Sequence, residues 1–266
     1  MHYVDTHCHL DLPHFDQDRD VVIARALDAG VEWFINPGID IDSSKKILEM
    51  HRKYPQVLPA VGIHPNDITD DLAQSITELT SMLKNEDIRA IGEIGLDFYH
   101  KQVPPDLQEK ALKMQLDLAA EHNLPVIIHS REALELITPI LHDWSVRRVQ
   151  PGHHIPLGVM HSFEGNYQQA LSFIEMGFFI SLAGPVTYKN AGLKHEIAGN
   201  IPLDCLLLET DAPYLTPAPF RGTRNEPAHL PQIGLRTAII RMCDEAEVAS
   251  ATTQNASILF QLGVFH

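Results

Sequence analysis

Several features typical of secreted or membrane proteins are scarce in this sequence. It has three cysteines, Cys8, Cys205 and Cys243, which are far apart and form no CxxC motif, so we expect no disulfides. No stretch reaches the roughly 18 consecutive apolar residues of a membrane span. The first residues also lack a basic region followed by an apolar run. We therefore expect a cytoplasmic protein that does not associate with membranes.

Basic residues are also in short supply. Lysine and arginine total 20 against 35 acidic residues, which gives a formal net charge of −15. Nonspecific affinity for nucleic acids comes largely from lysine and arginine contacts to phosphates. The composition therefore excludes a broad nucleic-acid-binding surface, and any anionic substrate must be attracted locally.

Glycine-rich phosphate loops, internal repeats and low-complexity segments are missing as well. Neither GxGxxG nor GxxxxGK[ST] follows the first apolar run. This absence disfavours the alternative α/β arrangement, an open doubly wound nucleotide-binding sheet.

The main pattern in the sequence is a series of eight short apolar runs that are too far apart to form hairpins. They are 3–5, 32–36, 57–63, 88–94, 125–129, 158–161, 178–181 and 205–209. Between these runs, apolar residues recur at the spacing of one helix face, as in the series Leu72, Ile76, Leu79. Several runs are continuously apolar, which is typical of a parallel sheet covered on both faces. The pattern predicts an α/β fold, a (β/α)8 TIM barrel, with residues 1–266 forming one domain.

Local signals predict helix ends and loops. We expect Gly30 to cap the end of the first helix and Asp42 to be the N-cap before Ser43. Long loops are expected at 147–156, which includes His153 and His154 without a metal role, and at 212–231.

Potential metal ligands fall where predicted strands end. His7 and His9 are two residues apart, so the period of a strand puts both imidazoles on one face. A lone HxH pair would indicate little, but four more candidates each end another predicted strand. The carboxyl ends of barrel strands converge on one face. We therefore expect a single metal site formed by His7, His9, Glu93, His129, His161 and Asp211.

The donor types indicate the chemistry of this site. Four imidazoles and two carboxylates suit Zn²⁺ or Mn²⁺, and the carboxylates also accept Mg²⁺. Glu93 is suited to bridge two ions about 3.5–4 Å apart, the separation at which a shared hydroxide attacks a substrate. The sequence therefore predicts a hydrolase with two divalent ions, whose charge would attract an anionic substrate.

At these residues the chain resembles the TatD-type deoxyribonucleases, which belong to the amidohydrolase-like group of metal-dependent barrels. The resemblance runs nearly end to end through VDTHCHLD, AVGIHP, IGEIGLDFY, LPVIIHSREA, HSFEG, FFISLAG and LLLETDAPYLTP. It implies a phosphodiesterase, exonuclease-like in mode, acting on DNA ends, single-stranded DNA or a small phosphodiester. The sequence gives no indication of an obligate protein partner.

The resemblance also implies roles for individual residues. One metal would be surrounded by His7, His9, Glu93 and Asp211. The second would be surrounded by Glu93, His129 and His161, so that Glu93 is shared. Asp211 would accept the proton of the attacking water, and His64 would bind substrate.

Two other functions stay open at this stage. The ligands alone also suit a hydrolase of a small phosphoester, lactone or amide. Glu93 stands where some such relatives carry a carboxylated lysine, which favours the TatD-like branch. A scaffold without chemistry is disfavoured because all six ligands are present.

Further residues are candidates for supporting roles. Glu209, two residues before Asp211, is expected to fix a ligand histidine. Arg131, Arg221 and Arg224 are each equally interpretable as phosphate contacts or as solvated side chains.

Overall fold

A parallel eight-stranded sheet forms the centre of the molecule, in a computed structural model that describes residues 1–148 and 156–263. The strands lie in sequence order, and each pairs in parallel with the next. Their bounds are β1 Tyr3–Asp5, β2 Val31–Pro37, β3 Val57–Val61, β4 Ala90–Asp97, β5 Val126–Arg131, β6 Gly158–Met160, β7 Phe178–Leu182 and β8 Leu206–Leu208. All eight predicted strands are confirmed, with ends that shift by up to three residues.

Helices follow the strands along the chain. Those within the described ranges are α1 Arg19–Asp28, α2 Ile41–Lys53, α3 Leu72–Asn85, α4 Pro105–His122, α5 Leu134–Arg148, α6 Tyr167–Glu175, α7 Gly192–Asn200, α8 Leu230–Arg241 and α9 Glu245–Phe260. Among the described residues, no helix combines the length and apolar character needed to cross a bilayer.

The sheet closes where its first and last strands meet. The Thr6 N–H donates to the carbonyl of Leu208 at 3.2 Å, and Cys8 forms a parallel bridge with Ala212 just beyond the two strands. The predicted (β/α)8 barrel is therefore confirmed.

Inward-facing apolar side chains fill the barrel. Every strand contributes to one buried cluster of mainly small and branched residues, among them Val4, Ile35, Leu58, Ala90, Ile127, Val159, Phe179 and Leu207. Leu259 and Phe260 of α9 pack against this cluster. The interior is thus a packed core, and the chemistry is left to the end where the strands finish.

Of the two predicted helix ends, one is wrong and one is confirmed. The N-cap of α2 is Asp40 and not Asp42, because Asp40 and Ser43 form a reciprocal capping box with hydrogen bonds of 2.7 and 2.9 Å. The prediction for Gly30 is confirmed: it directly follows Ala29, the C-cap of α1, and takes the left-handed φ of +87° that is typical of a glycine at this position.

One end of each predicted loop belongs to a helix. Arg147 and Arg148 still belong to α5, and His153 and His154 lie outside the described residues. The segment after β8 ends at residue 229, because α8 begins at Leu230 with a proline in its first turn.

Candidate metal centre at the barrel mouth

A cavity of about 510 Å³ lies at the carboxyl ends of the strands. Five of the six predicted ligands line it: His9, Glu93, His129, His161 and Asp211. The sixth, His7, lies beneath them and is completely buried. The structure therefore brings all six residues to one place, although they are distant in sequence.

His7 and His9 lie in the extended segment that follows β1. Their Nε2 atoms are 3.1 Å apart, and the Oδ1 atom of Asp211 lies 3.8 Å and 3.7 Å from them. Cys8, between them, is fully buried, and its Sγ points to the carbonyl of Ile35 at 3.8 Å. The alternation of side chains continues past the end of the strand because Cys8 and Ala212 extend the pairing.

Glu93 lies between two groups of imidazoles. Its Oε2 is 3.3 Å from Nε2 of His7 and 3.7 Å from Nε2 of His9. Its Oε1 faces the other side, 2.8 Å from Nδ1 of His129 and 3.6 Å from Nε2 of His161. Each carboxylate oxygen thus addresses a different pair of nitrogens.

Asp211 follows β8 by three residues and is held in an unusual backbone conformation. Its φ is +55°, and its N–H donates to the carbonyl of His7 at 2.8 Å. The neighbouring N–H of His9 donates to the carbonyl of Ala212 at 2.8 Å. These two bonds fix the two ligand-bearing segments to each other.

Charge within the site is balanced between carboxylates and imidazoles. Burial opposes ionisation of Glu93, but His7 and His161 hold its pKa well below the usual value. Burial likewise opposes protonation of His129, yet its hydrogen bonds to Asp97 and Glu93 raise its pKa to about 9. Burial raises the pKa of Asp211 to about 6. Despite burial, neighbouring carboxylates also raise the pKa of His161 to about 10, whereas burial lowers the pKa of His7 to about 4. His129 and His161 thus supply the positive charge that the buried carboxylates need.

The donor set fits divalent ions. Three groups of side chains each place ligand atoms within 4.8 Å of one another: His7, His9 and Asp211; His7, His161 and Glu209; and His64, Glu93 and His129. Imidazole nitrogens and carboxylate oxygens that converge in this way are the ligands of zinc and manganese sites. Metal binding would release the protons that the imidazoles share with the carboxylates.

His64 lies beside the candidate metal ligands. It follows β3, and its Nε2 is 3.9 Å from Oε1 of Glu93. Its ring centroid is 4.5 Å from that of His129. Substrate binding stays a prediction for this residue, since its position also suits a metal ligand.

Asp97 is a site residue that the sequence reasoning missed. Its Oδ2 accepts hydrogen bonds from Asn66 at 2.9 Å and His100 at 2.7 Å, and lies 3.3 Å from Nε2 of His129. The carboxylate is 1% exposed, and its hydrogen bonds hold its pKa below the usual value despite burial. The alternation of side chains along β4 could have identified Asp97, because Glu93, Gly95 and Asp97 share one face of the strand.

Glu209 occupies the supporting position expected for it. It is completely buried, and its Oε1 lies 2.9 Å from Nδ1 of His161 and accepts the N–H of Ser162 at 2.7 Å. A carboxylate on the far nitrogen of a ligand imidazole fixes the ring and its tautomer.

The three arginine candidates differ sharply. Arg224 is committed to a two-pronged pair with Asp18, at 2.8 and 2.7 Å. Arg221 stacks over Tyr188 and does not line the cavity. Arg131 alone of the three lines it.

Comparison with known proteins places the chain in one family. A family model described as "TatD related DNase" matches residues 4–261. The chain is 38% identical over 258 residues to the "uncharacterized metal-dependent hydrolase YabD" of Bacillus subtilis, covering 97% of this chain and 98% of that protein. It is 35% identical over 262 residues to the "3'-5' ssDNA/RNA exonuclease TatD" of Escherichia coli, covering 96% and 98%.

A solved structure agrees with these sequence matches. The crystal structure of YjjV, a TatD homologue from Escherichia coli, superimposes with a TM-score of 0.89 at 32% identity and covers 98% of each chain. The chain described here belongs to the TatD-related DNase family.

Proposed function

We propose that this chain is a metal-dependent phosphodiesterase that removes nucleotides from an end of single-stranded DNA or RNA. The observation that carries the proposal is the position of Glu93 between two pairs of imidazoles at the mouth of the barrel. The relatives named as metal-dependent hydrolases and as a 3'-5' exonuclease support it.

The proposed metal ligands are those expected from the sequence. One ion would be held by His7, His9, Glu93 and Asp211, and a second by Glu93, His129 and His161. The chemistry supplied by divalent ions is Lewis-acid activation of water and stabilisation of negative charge on the phosphate. The protein's part is to keep the donors converged, through Asp97 on His129 and Glu209 on His161.

Asp211 is the proposed proton acceptor. Its side chain is 14% exposed and lines the cavity, so it is accessible to a water beside the substrate. A carboxylate placed beside the substrate is chemically suited to take the proton of an attacking water.

The size and charge of the molecule favour a strand end as substrate. A cavity of about 510 Å³ is in the range that holds a small ligand, and it is too small for a duplex. The net charge of −15 also disfavours long contacts along a nucleic acid. Both observations support a terminal nucleotide entering the cavity.

We further propose that residues 1–266 form one domain and that the protein is cytoplasmic. One apolar core extends from Tyr3 in β1 to Ala249 in α9 and supports a single domain. Cys8, Cys205 and Cys243 are unpaired thiols, which suits a reducing compartment.

The experiment that tests the proposal uses metal-free protein reconstituted separately with Mg²⁺, Mn²⁺ and Zn²⁺. End-labelled single-stranded DNA, RNA and duplex DNA are compared with a small phosphomonoester, a lactone and an amide. We expect stepwise, metal-dependent shortening of the single strands that disappears in Glu93→Gln. Turnover of only the small substrates would contradict the nuclease proposal and support the second hydrolase class.

A further inference from the structure

Charge is distributed unevenly around the cavity. Among its lining residues in the described part of the chain, Arg131 is the only lysine or arginine. Five carboxylates surround the same space: Asp67, Glu93, Asp97, Glu164 and Asp211. Away from the proposed metal ions and their histidine ligands, Arg131 is therefore the one permanently charged group in the described part of this lining that can attract a second phosphate.

The backbone places Arg131 farther out than the metal ligands. It is the last residue of β5, two residues after His129, and pairs with Asp97 of β4. Two residues of strand advance the chain by about 6–7 Å. The backbone of Arg131 therefore lies about one phosphate-to-phosphate step of an extended nucleic-acid strand beyond that of His129.

The guanidinium of Arg131 is held in place without using its hydrogen-bond donors. It lies over the ring of Tyr99, 4.6 Å from the centroid. Its Nη1 is 3.8 Å from Oε1 of Glu164, which is too long for a hydrogen bond. Within the described ranges its side chain donates no hydrogen bond to the protein, whereas Arg224 donates to both oxygens of Asp18.

We propose that Arg131 forms a second phosphate-binding subsite, which receives the phosphate next to the scissile one. The inference rests on the proposed function. A guanidinium fork matches two phosphate oxygens, and stacking on Tyr99 orients the fork toward the cavity. The subsite makes a chain of at least two phosphates the preferred substrate class.

Glu164 competes with the substrate for this fork. The two side chains are 41% and 46% exposed, so their ion pair is solvated and contributes little stability. An incoming phosphate can therefore replace Glu164 as the partner of Arg131. Removing the charge of Glu164 should strengthen substrate binding, opposite to the effect of removing Arg131.

Binding to the metal-loaded protein tests the subsite directly. We would titrate a fluorescent single-stranded trinucleotide with hydrolysis-resistant phosphorothioate linkages against the Mg²⁺-loaded wild type, Arg131→Gln and the control Arg221→Gln at several salt concentrations. Arg221 is a matched control because it also stacks on a tyrosine, Tyr188, at 4.3 Å, yet lies outside the cavity. Loss of one phosphate contact should reduce the slope of log affinity against log salt by about 0.7 in Arg131→Gln alone.

Steady-state kinetics with the metal-loaded enzyme give the second readout. For a trinucleotide we expect Arg131→Gln to raise KM by about 10- to 100-fold, and Glu164→Gln to lower it. For bis(4-nitrophenyl) phosphate, which carries one phosphate, both variants should match the wild type within about twofold. A methylphosphonate at one linkage adjacent to the scissile bond should abolish the difference between Arg131→Gln and the wild type.

The outcomes separate the two proposals. If the wild type shortens the trinucleotide and Arg131→Gln behaves identically, or loses activity equally on both substrates, the subsite is wrong and the nuclease function stands. If the wild type with metal cleaves no nucleic acid, the proposed function is wrong and the subsite falls with it. Thermal unfolding and metal content of each variant verify that fold and metal site are intact.

Discussion

Replacing Glu209 by glutamine removes a buried charge without changing the shape of the side chain. In the wild type its Oε1 lies 2.9 Å from Nδ1 of His161 and accepts the N–H of Ser162 at 2.7 Å. Glutamine can still accept one of these hydrogen bonds, but it no longer makes His161 more basic or fixes its tautomer. We therefore expect the variant to fold and to bind metal weakly.

The magnitude follows from the two contributions of the carboxylate. Each charge-assisted hydrogen bond contributes about 1.5–3 kcal/mol, but neutralising a completely buried carboxylate recovers part of its desolvation cost. The stability of the metal-free protein should therefore change by less than about 2 kcal/mol. Metal affinity should fall by about 10- to 100-fold, as for other losses of a carboxylate behind a ligand histidine.

The assay is competition with a chelator of known affinity, using Zn²⁺ and Mn²⁺ in separate titrations. The control is Glu245→Gln, which makes the same chemical change where Glu245 accepts a hydrogen bond from Tyr3 at 2.8 Å, at the opposite end of the barrel. The control should bind metal like the wild type. Unchanged affinity in Glu209→Gln would refute the idea that Glu209 positions His161 for a metal.

Three further predictions concern individual residues. Gly95→Ala should lower stability by about 3–5 kcal/mol, because φ at Gly95 is +152° and an added Cβ would lie 1.9 Å from the carbonyl of His129. Denaturant unfolding measures this loss of stability. The control is Gly192→Ala, which should be neutral or stabilising because no atom lies within 4 Å of its added Cβ. An equal loss of stability in both variants would contradict the argument. Asp211→Asn should lower kcat by about 100- to 10,000-fold, and substantial activity with full metal content would exclude Asp211 as the base. Arg224→Gln should lower stability by about 1–2 kcal/mol and leave KM unchanged, because its partners are Asp18 and the carbonyl of His14; a raised KM would instead indicate a phosphate contact.

The barrel was predictable because its signals are local and repeated. Each strand core is a short apolar run flanked by helical spacing, and the closed parallel sheet follows from eight such units. The capping of α2 was predicted two residues too late, because Asp40 and Asp42 both resemble an N-cap. Only the geometry of Ser43 decides between them.

The convergence of the six candidate ligands was predictable, but the residue at which each strand ends was not. β4 continues to Asp97, three residues past its expected end, so the carboxylate on His129 was overlooked. The distinction among Arg131, Arg221 and Arg224 depends on partners distant in sequence, such as Asp18 and Tyr188. No local pattern contains that information.

Anomalous diffraction from crystals grown with Mn²⁺ tests the metal centre most directly. We expect one anomalous peak bounded by His7, His9, Glu93 and Asp211, and a second bounded by Glu93, His129 and His161, with ligand distances of about 2.0–2.2 Å. Both peaks should disappear or weaken in Glu93→Gln. A barrel mouth without anomalous density at saturating Mn²⁺, or density ligated by other residues, would contradict the metal centre and the hydrolytic function proposed for it.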